Sequence, residues 1–236
     1  MTFEWCEYRD REQMHSVLAG AVSAELEDFL RREPVAGLVA TGGTTAPPIL
    51  EQIGATDLDW GRVWVTISDE RWVSPGDPAS NEKMVRGNLL QGPARTAHFI
   101  PIYEAKQTPE AAESSCNERL SEMPWQSSLC MLGMGRDGHV ASLFPGAQAL
   151  DDALDPAFER CCKAVRPLST EIAGPHPRMT LTLSALLRTR HIHILITGAD
   201  KRAALQRAEQ EGPERAMPVR AVLRQRRVPV TVHWAP

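Results

Sequence analysis

Four short apolar runs constrain the fold of this chain most strongly, because each breaks at once into glycine, hydroxyl or charge. Residues 35–40 run into Thr41-Gly42-Gly43-Thr44-Thr45, residues 62–68 into Asp69-Glu70-Arg71, residues 127–132 into Gly133 and Gly135, and residues 191–197 into Gly198 and Lys201. Apolar runs of this length, bounded by turn residues, read as buried strands. Charge directly after a buried strand is unexpected in a core and expected at a ligand crevice, which in an open α/β sheet lies beyond the carboxyl ends of the strands. Helical patterns separate the runs. Met14, Leu18, Val22, Leu26 and Leu30 recur at helical spacing over residues 10–32, before Pro34. Residues 49–53 look helical, Ser80 can cap a helix through Met84, Val85 and Leu89, and Thr108-Pro109 opens one over residues 108–123. Residues 199–210 suit another helix. Further strands are expected at 96–102, 158–165, 178–183 and 228–234, and residues 167–177 read as a proline-broken loop long enough to cover a site. Strands alternating with helices predict an α/β fold with a mostly parallel sheet, covered by helices on both faces. No linker divides the chain, so residues 1–236 are expected to form a single domain.

Composition narrows the partners. The formal net charge is -4, so nothing global suggests nucleic-acid binding, and any anion site must be built locally. The short basic run Arg224, Arg226, Arg227 reads as a solvated helix end. Five cysteines without a CxxC spacing suggest reduced, mostly buried thiols. Glu4, Glu7 and Asp10 occupy the amino-terminal stretch with no apolar h-region, so no signal peptide is expected. No apolar run approaches the ~20 residues needed to cross a bilayer.

The stretch LCMLGMGRDGHVASLFPG, from Leu129 to Gly146, carries the candidate chemistry. Glycines let the backbone approach a ligand, and His139 can exchange a proton near neutral pH. The Gly42-Gly43-Thr44-Thr45 loop precedes a helix start, an order that offers N–H groups, hydroxyls and the positive end of a helix dipole to an anion. The same residues also suit a plain tight turn, and no Walker lysine follows them. Thr44, Thr45, Arg178 and Lys201 suit a phosphate, His139 suits proton transfer, and Arg71 suits an oxygen that gains negative charge. Asp69 and Glu70 suit either the site or ion pairing with Arg71. Asn81 sits at a helix start near the same loop. His191 and His193 read as core or interface, and the scattered histidines make a metal site unexpected. There is no GxSxG nucleophile elbow.

Four blocks carry a specific resemblance: LVATGGTTAPPIL, VTISDERWVSPGDPASNEKMVRGNLL, LGMGRDGHVASLFPG and RMTLTLSALLRTRHIHILITGADKRAAL. In that order and spacing they resemble the 6-phosphogluconolactonase family. The resemblance implies a Rossmann-like three-layer sandwich related to glucosamine-6-phosphate deaminase. It also implies hydrolysis of 6-phosphoglucono-δ-lactone to 6-phosphogluconate, in the oxidative pentose phosphate pathway and without a cofactor. His139 would then be the general base, Asp137 would orient it, and Arg71 would meet the oxyanion. Gly42, Gly43, Thr44, Thr45, Arg178 and Lys201 would hold the phosphate, with Asp69 and Asn81 also contacting substrate. The expected setting is cytoplasmic, as a monomer or weak homodimer whose only partner is the phosphosugar lactone. The loop reads GGTTA where the family usually has GGSTP, with the prolines delayed to Pro47 and Pro48. A deaminase-isomerase is the enzymatic alternative, but DERWV and ASLFPG stand where that branch carries a DEY-type block and an AFNEP-like segment. A non-catalytic phosphosugar sensor is the other.

Overall fold

The computed structural model describes all residues except 1, 2, 107 and 169, and the side chains of all described residues except 170 and 172. In chain order the elements are β1 (Glu4–Glu7), α1 (Arg11–Arg32), β2 (Ala36–Ala40), α2 (Pro47–Gly54), β3 (Val63–Ile67), β4 (Asp69–Arg71), α3 (Asn81–Asn88) and β5 (His98–Phe99). They continue with α4 (Pro109–Leu120), β6 (Ser128–Gly133), α5 (Leu150–Leu154), β7 (Cys162–Val165), α6 (Thr170–Ala173) and β8 (Arg178–Leu181). The last are α7 (Leu183–Leu186), β9 (His191–Thr197), α8 (Ala199–Glu209), α9 (Val219–Arg224) and β10 (Val230–Ala235).

Seven strands form one sheet in the order β1-β10-β9-β6-β2-β3-β5, with every pairing parallel. The most apolar strands lie at its centre: β2 is buried throughout, and β6 and β9 are buried along nearly their whole length. Burial on both faces explains why they read as continuous apolar runs rather than as alternating ones. The edges are weaker. β1 is exposed at both ends and only half-buried between them, and β5 keeps only two residues. Helices flank the sheet on both faces, and the buried apolar residues join into one core.

The helix signals hold to within three residues, the largest difference being the end of α4 at Leu120 rather than at residue 123. Asp10 caps α1 by accepting from the Gln13 N–H, Ser80 caps α3 through the Lys83 N–H, and Thr108 caps α4 through the Ala111 N–H. Each hydroxyl or carboxylate satisfies one of the orphan donors of a first helical turn. The short basic run does close a helix: Arg224 ends α9, and its guanidinium donates to the Gly212 and Gln210 carbonyls. The cysteines are free.

Several expectations need correction. Asp69-Glu70-Arg71, expected only to break the strand before it, is itself a strand. It pairs antiparallel with β8, which pairs antiparallel with β7, in a second sheet of order β4-β8-β7. Ser68 is the joint, donating its N–H to Ala40 on the parallel sheet and accepting from Leu181 on the second one. Acidic residues have low strand propensity, and here tertiary hydrogen bonds override it. The strand expected over 96–102 shrinks to His98–Phe99, because residues Gly92–Thr96 form a 3-10 turn. The strand expected over 158–165 is Cys162–Val165 and belongs to the second sheet. Residues 167–177 are not all loop, since α6 lies within them. Finally, β1 and α9 carry too weak a periodicity to be read in advance.

Candidate active site

The carboxyl ends of β2 and β6, the start of α8 and the second sheet enclose a cleft of about 190 Å³. Gly42, Gly43, Thr44 and Thr45 come from the loop after β2, Asp69 and Arg71 from β4, and Asn81 from the first residue of α3. His139 comes from the loop after β6, Arg178 from the head of β8 and Lys201 from the first turn of α8. Among the site residues picked from the sequence, Asp137 and Glu70 do not line the wall.

Asp137 acts on the cleft through His139. Its Oδ1 lies 2.6 Å from His139 Nδ1 and also accepts the His139 backbone N–H at 3.2 Å. A carboxylate at Nδ1 fixes the proton on that atom and leaves Nε2 with a lone pair. The ring packs on Phe144 at 4.3 Å between centroids. It also presses on Gly135, where an added Cβ would stand 2.2 Å from the His139 ring, so only glycine fits. Burial pushes the Asp137 carboxyl up, but the His139 hydrogen bond and charge outweigh it and hold it below the usual carboxylate range. The loop is anchored by Gly135 N–H to His139 O and by Val219 N–H to Gly138 O. Ala141, also on the cleft wall, takes φ 49°, a left-handed conformation costly for a residue with a Cβ.

Three cations face the cleft, each under electrostatic strain. Arg71 and Arg178 are directly opposite each other in the β4–β8 register, a like-charge pair that destabilises a sheet. Arg178 is 4% exposed; one Nη donates to the Ala173 carbonyl, while Nε and the other Nη have no partner among the described residues. Burial, reinforced by Arg71, lowers its pKa to about 10. Arg220 shows what a satisfied buried arginine looks like. At 7% exposure its three nitrogens donate to the carbonyls of Ala208, Pro213 and Arg207. Lys201 sits at the positive end of a helix, where a cation is disfavoured, and burial followed by Arg11 pushes its ammonium pKa down. None of the three forms an ion pair among the described residues, although Arg71 donates to the Ala79 carbonyl. Negative charge bound against them would relieve these strains.

The loop after β2 supplies donors of another kind. The N–H groups of Gly43, Thr44, Thr45 and Ala46 have no intramolecular acceptor among the described residues. Pro47 and Pro48 occupy the first two positions of α2 and carry no N–H, so the free donors lie in the loop rather than in the helix. The delayed prolines therefore open α2 at residue 47 and still leave the loop amides free. Gly42 has its own constraint, because a Cβ there would lie 2.3 Å from Asn81 Oδ1. Asn81 Nδ2 in turn donates to the Asp69 carbonyl at 2.8 Å.

Asp69 and Glu70 are not ion-pair partners of Arg71. Asp69 reaches the wall, but Oδ1 takes the Ser68 hydroxyl at 2.9 Å and Oδ2 the Ser142 hydroxyl at 2.5 Å. Glu70 is fully buried and accepts from the backbone N–H groups of Arg71, Asn81 and Glu82 at 2.7 Å each, and from the Ser80 hydroxyl at 3.0 Å. It therefore caps α3 from β4 and locks the Arg71 and Asn81 backbones together. Sequence reasoning missed Thr41, whose Oγ1 accepts the Gly133 N–H at 3.0 Å and so ties the two site loops together. It also missed the apolar wall of Met134, Phe144 and Leu195. The Phe144 of SLFPG was the one available signal for that wall.

Residues 9–234 match the family model described as glucosamine-6-phosphate isomerases/6-phosphogluconolactonase. The chain belongs to this family. It is 39% identical over 235 residues to the 6-phosphogluconolactonase of Mesorhizobium japonicum, covering 100% of this chain and 96% of that one. The Pseudomonas aeruginosa 6-phosphogluconolactonase is also 39% identical, over 93% of this chain and 89% of its own. The crystal structure of a 6-phosphogluconolactonase from Shewanella baltica superposes with a TM-score of 0.95 at 34% identity, over 100% of this chain and 98% of that one. A monomeric glucosamine-6-phosphate deaminase superposes with a TM-score of 0.75 at 18% identity, which shows a shared fold.

Proposed function

We propose that this chain hydrolyses 6-phosphoglucono-δ-lactone to 6-phosphogluconate, the lactonase step of the oxidative pentose phosphate pathway. The observation that carries the reading is the combination in one cleft of a carboxylate-oriented imidazole with the Arg178 guanidinium, whose Nε and one Nη have no partner among the described residues. The full-length likeness to several 6-phosphogluconolactonases supports it.

His139 Nε2 takes a proton from water as the water oxygen bonds to the lactone carbonyl carbon. The carbonyl oxygen gains negative charge beside Arg71. Collapse of this tetrahedral species breaks the bond to the ring oxygen, which leaves with a proton returned by His139. The lactone is already an activated ester, so a base worth ~10²–10⁴ in rate and one charge donor of comparable worth are sufficient. The loop amides of residues 43–46, the Thr44 and Thr45 hydroxyls, Arg178 and Lys201 hold the phosphate, remote from the reacting carbon. Asp69 and Asn81 shape the wall between these two ends. The setting is cytoplasmic, with the phosphosugar lactone as partner; no described helix is long and apolar enough to cross a membrane.

The test is to generate the lactone in situ and follow its disappearance with purified protein. We expect acceleration over buffer, and a fall of ~10²–10⁴ in kcat for His139→Ala with unchanged melting temperature. A wild-type rate equal to buffer would overturn the reading, and ammonia released from glucosamine 6-phosphate would point to the deaminase branch instead.

A further inference from the structure

A second cluster of titratable side chains lies away from the cleft, where α1 packs against the beginning of β9. His191 and His193 alternate on one face of β9, their rings 4.0 Å apart, and Glu25 of α1 lies between them. His191 Nδ1 is 3.0 Å from Glu25 Oε2, and His193 Nε2 is 3.1 Å from Glu25 Oε1. Each residue offers a ligand atom, and these atoms all lie within 4.8 Å of one another. The lactonase reading makes no use of them. His191 lies four positions before Leu195 of the cleft wall, about 13 Å along the strand.

We infer that Glu25, His191 and His193 form a divalent-metal site of the zinc class. Two imidazoles and a carboxylate are a zinc donor set. Bonds of ~2.0–2.1 Å in tetrahedral geometry put neighbouring ligand atoms about 3.3 Å apart. The two nitrogen–oxygen separations are already within a few tenths of an ångström of that, so mainly the two rings must close on each other. Three protein ligands leave a fourth position. It opens to solvent, since the His191 and Glu25 side chains are 21% and 32% exposed.

The surroundings decide whether both rings can turn lone pairs to a metal. Without metal, Glu25 accepts an N–H from each ring. Ligation moves those protons to His191 Nε2 and His193 Nδ1, and an acceptor stands at each place. His191 Nε2 is 2.9 Å from Thr231 Oγ1, which itself can donate to Glu4 at 3.3 Å. His193 Nδ1 is 3.0 Å from His233 Nε2, and His233 Nδ1 is 2.8 Å from the Tyr8 hydroxyl. His191, His193 and, in relay, His233, whose proton passes from Nε2 to Nδ1 facing the Tyr8 hydroxyl, thus change tautomer without net loss of a proton. Each then donates its one N–H, on the nitrogen turned away from the metal, to a fixed partner, the support that metal-binding histidines require. A metal here clips α1 to β9 and stabilises the folded chain by mass action.

The test uses chelator-treated protein titrated with Zn²⁺ by calorimetry, and with Co²⁺ read by its visible absorption. The His139→Ala variant is titrated alongside, so that the cleft imidazole cannot supply the signal. We expect one equivalent bound in both proteins, a raised melting temperature with Zn²⁺, and a four- or five-coordinate Co²⁺ spectrum. Glu25→Gln and His191→Gln should each abolish stoichiometric binding while lactone hydrolysis persists. Thr231→Val, which keeps the strand and removes the His191 partner, should weaken binding ~10–100-fold. Absence of stoichiometric binding would overturn the site, as would binding that survives Glu25→Gln and His191→Gln or vanishes only with His139→Ala. None of these outcomes depends on the lactone assay, so the two readings fail separately.

Discussion

Replacing Glu70 by glutamine tests how the second sheet holds the active site. The side chain keeps its shape, but one acceptor oxygen becomes an NH₂ donor. Glu70 Oε1 serves the Arg71 and Asn81 N–H groups, and Oε2 serves the Ser80 hydroxyl and the Glu82 N–H. Whichever way the amide sits, two donors lose a charged acceptor at ~1.5–3 kcal/mol each. If the NH₂ replaces Oε2, Ser80 can rotate to accept, but the Glu82 N–H is left facing another donor. One term opposes the loss. Burial pushes the Glu70 carboxyl above its ordinary range against the pull of the Glu82, Asn81, Ser80 and Arg71 donors, and glutamine carries no such desolvation cost. The lower end of the range therefore applies, about 3 kcal/mol in total. For a chain of this size that is about 6–12 °C in melting temperature, at ~2–4 °C per kcal/mol. Thermal melts followed by circular dichroism at neutral pH read this directly. Arg71 and Asn81 are positioned by the lost acceptor, so kcat/KM should also fall about 10–100-fold well below the melting point. A shift under about 2 °C would refute the reasoning. It would mean that Glu70 is neutral in the native state and that glutamine replaces it without conflict.

Gly42→Ala places a Cβ 2.3 Å from Asn81 Oδ1, so the amide must leave the Asp69 carbonyl. We expect a destabilisation of ~1–3 kcal/mol in chemical denaturation and a raised KM for the lactone. Asp137→Asn removes the anion that holds His139 in its tautomer, and kcat in the coupled assay should drop ~10²–10⁴ with KM little changed. Glu104 is held at about 2 by the Ser115 hydroxyl first and then by Arg119, against some desolvation. Its folded pKa is depressed, so its contribution is present above the unfolded value near 4.3 and lost as pH falls toward 2. The melting temperatures of wild type and Glu104→Gln should therefore differ by a constant amount above about pH 5 and converge near pH 2.

The sequence alone determined the local pieces. The caps at Ser80 and Thr108, the central strands and the strand-end positions of His139, Thr44 and Lys201 were all legible. Each depends on residues within a turn or two of one another, and apolar periodicity and hydroxyl caps record such short-range physics directly. Tertiary structure decided how the pieces meet. Nothing in DERWV says that its three acidic and basic residues form a strand, because their partner is β8, far along the chain. That pairing sets Arg71 opposite Arg178 and turns Glu70 from a candidate ion-pair partner into a buried cap for α3. It also separates Arg178 from Arg220: both are buried, yet among the described residues Arg220 finds a carbonyl for each nitrogen and Arg178 for only one, and composition cannot reveal which arginine is left partly unsatisfied. His191 and His193 read as core or interface residues until α1 brought Glu25 between them. Burial raises the cost of an unpaired polar group or charge, so the packing of distant elements decides which polar residues are satisfied and which stay open to a ligand.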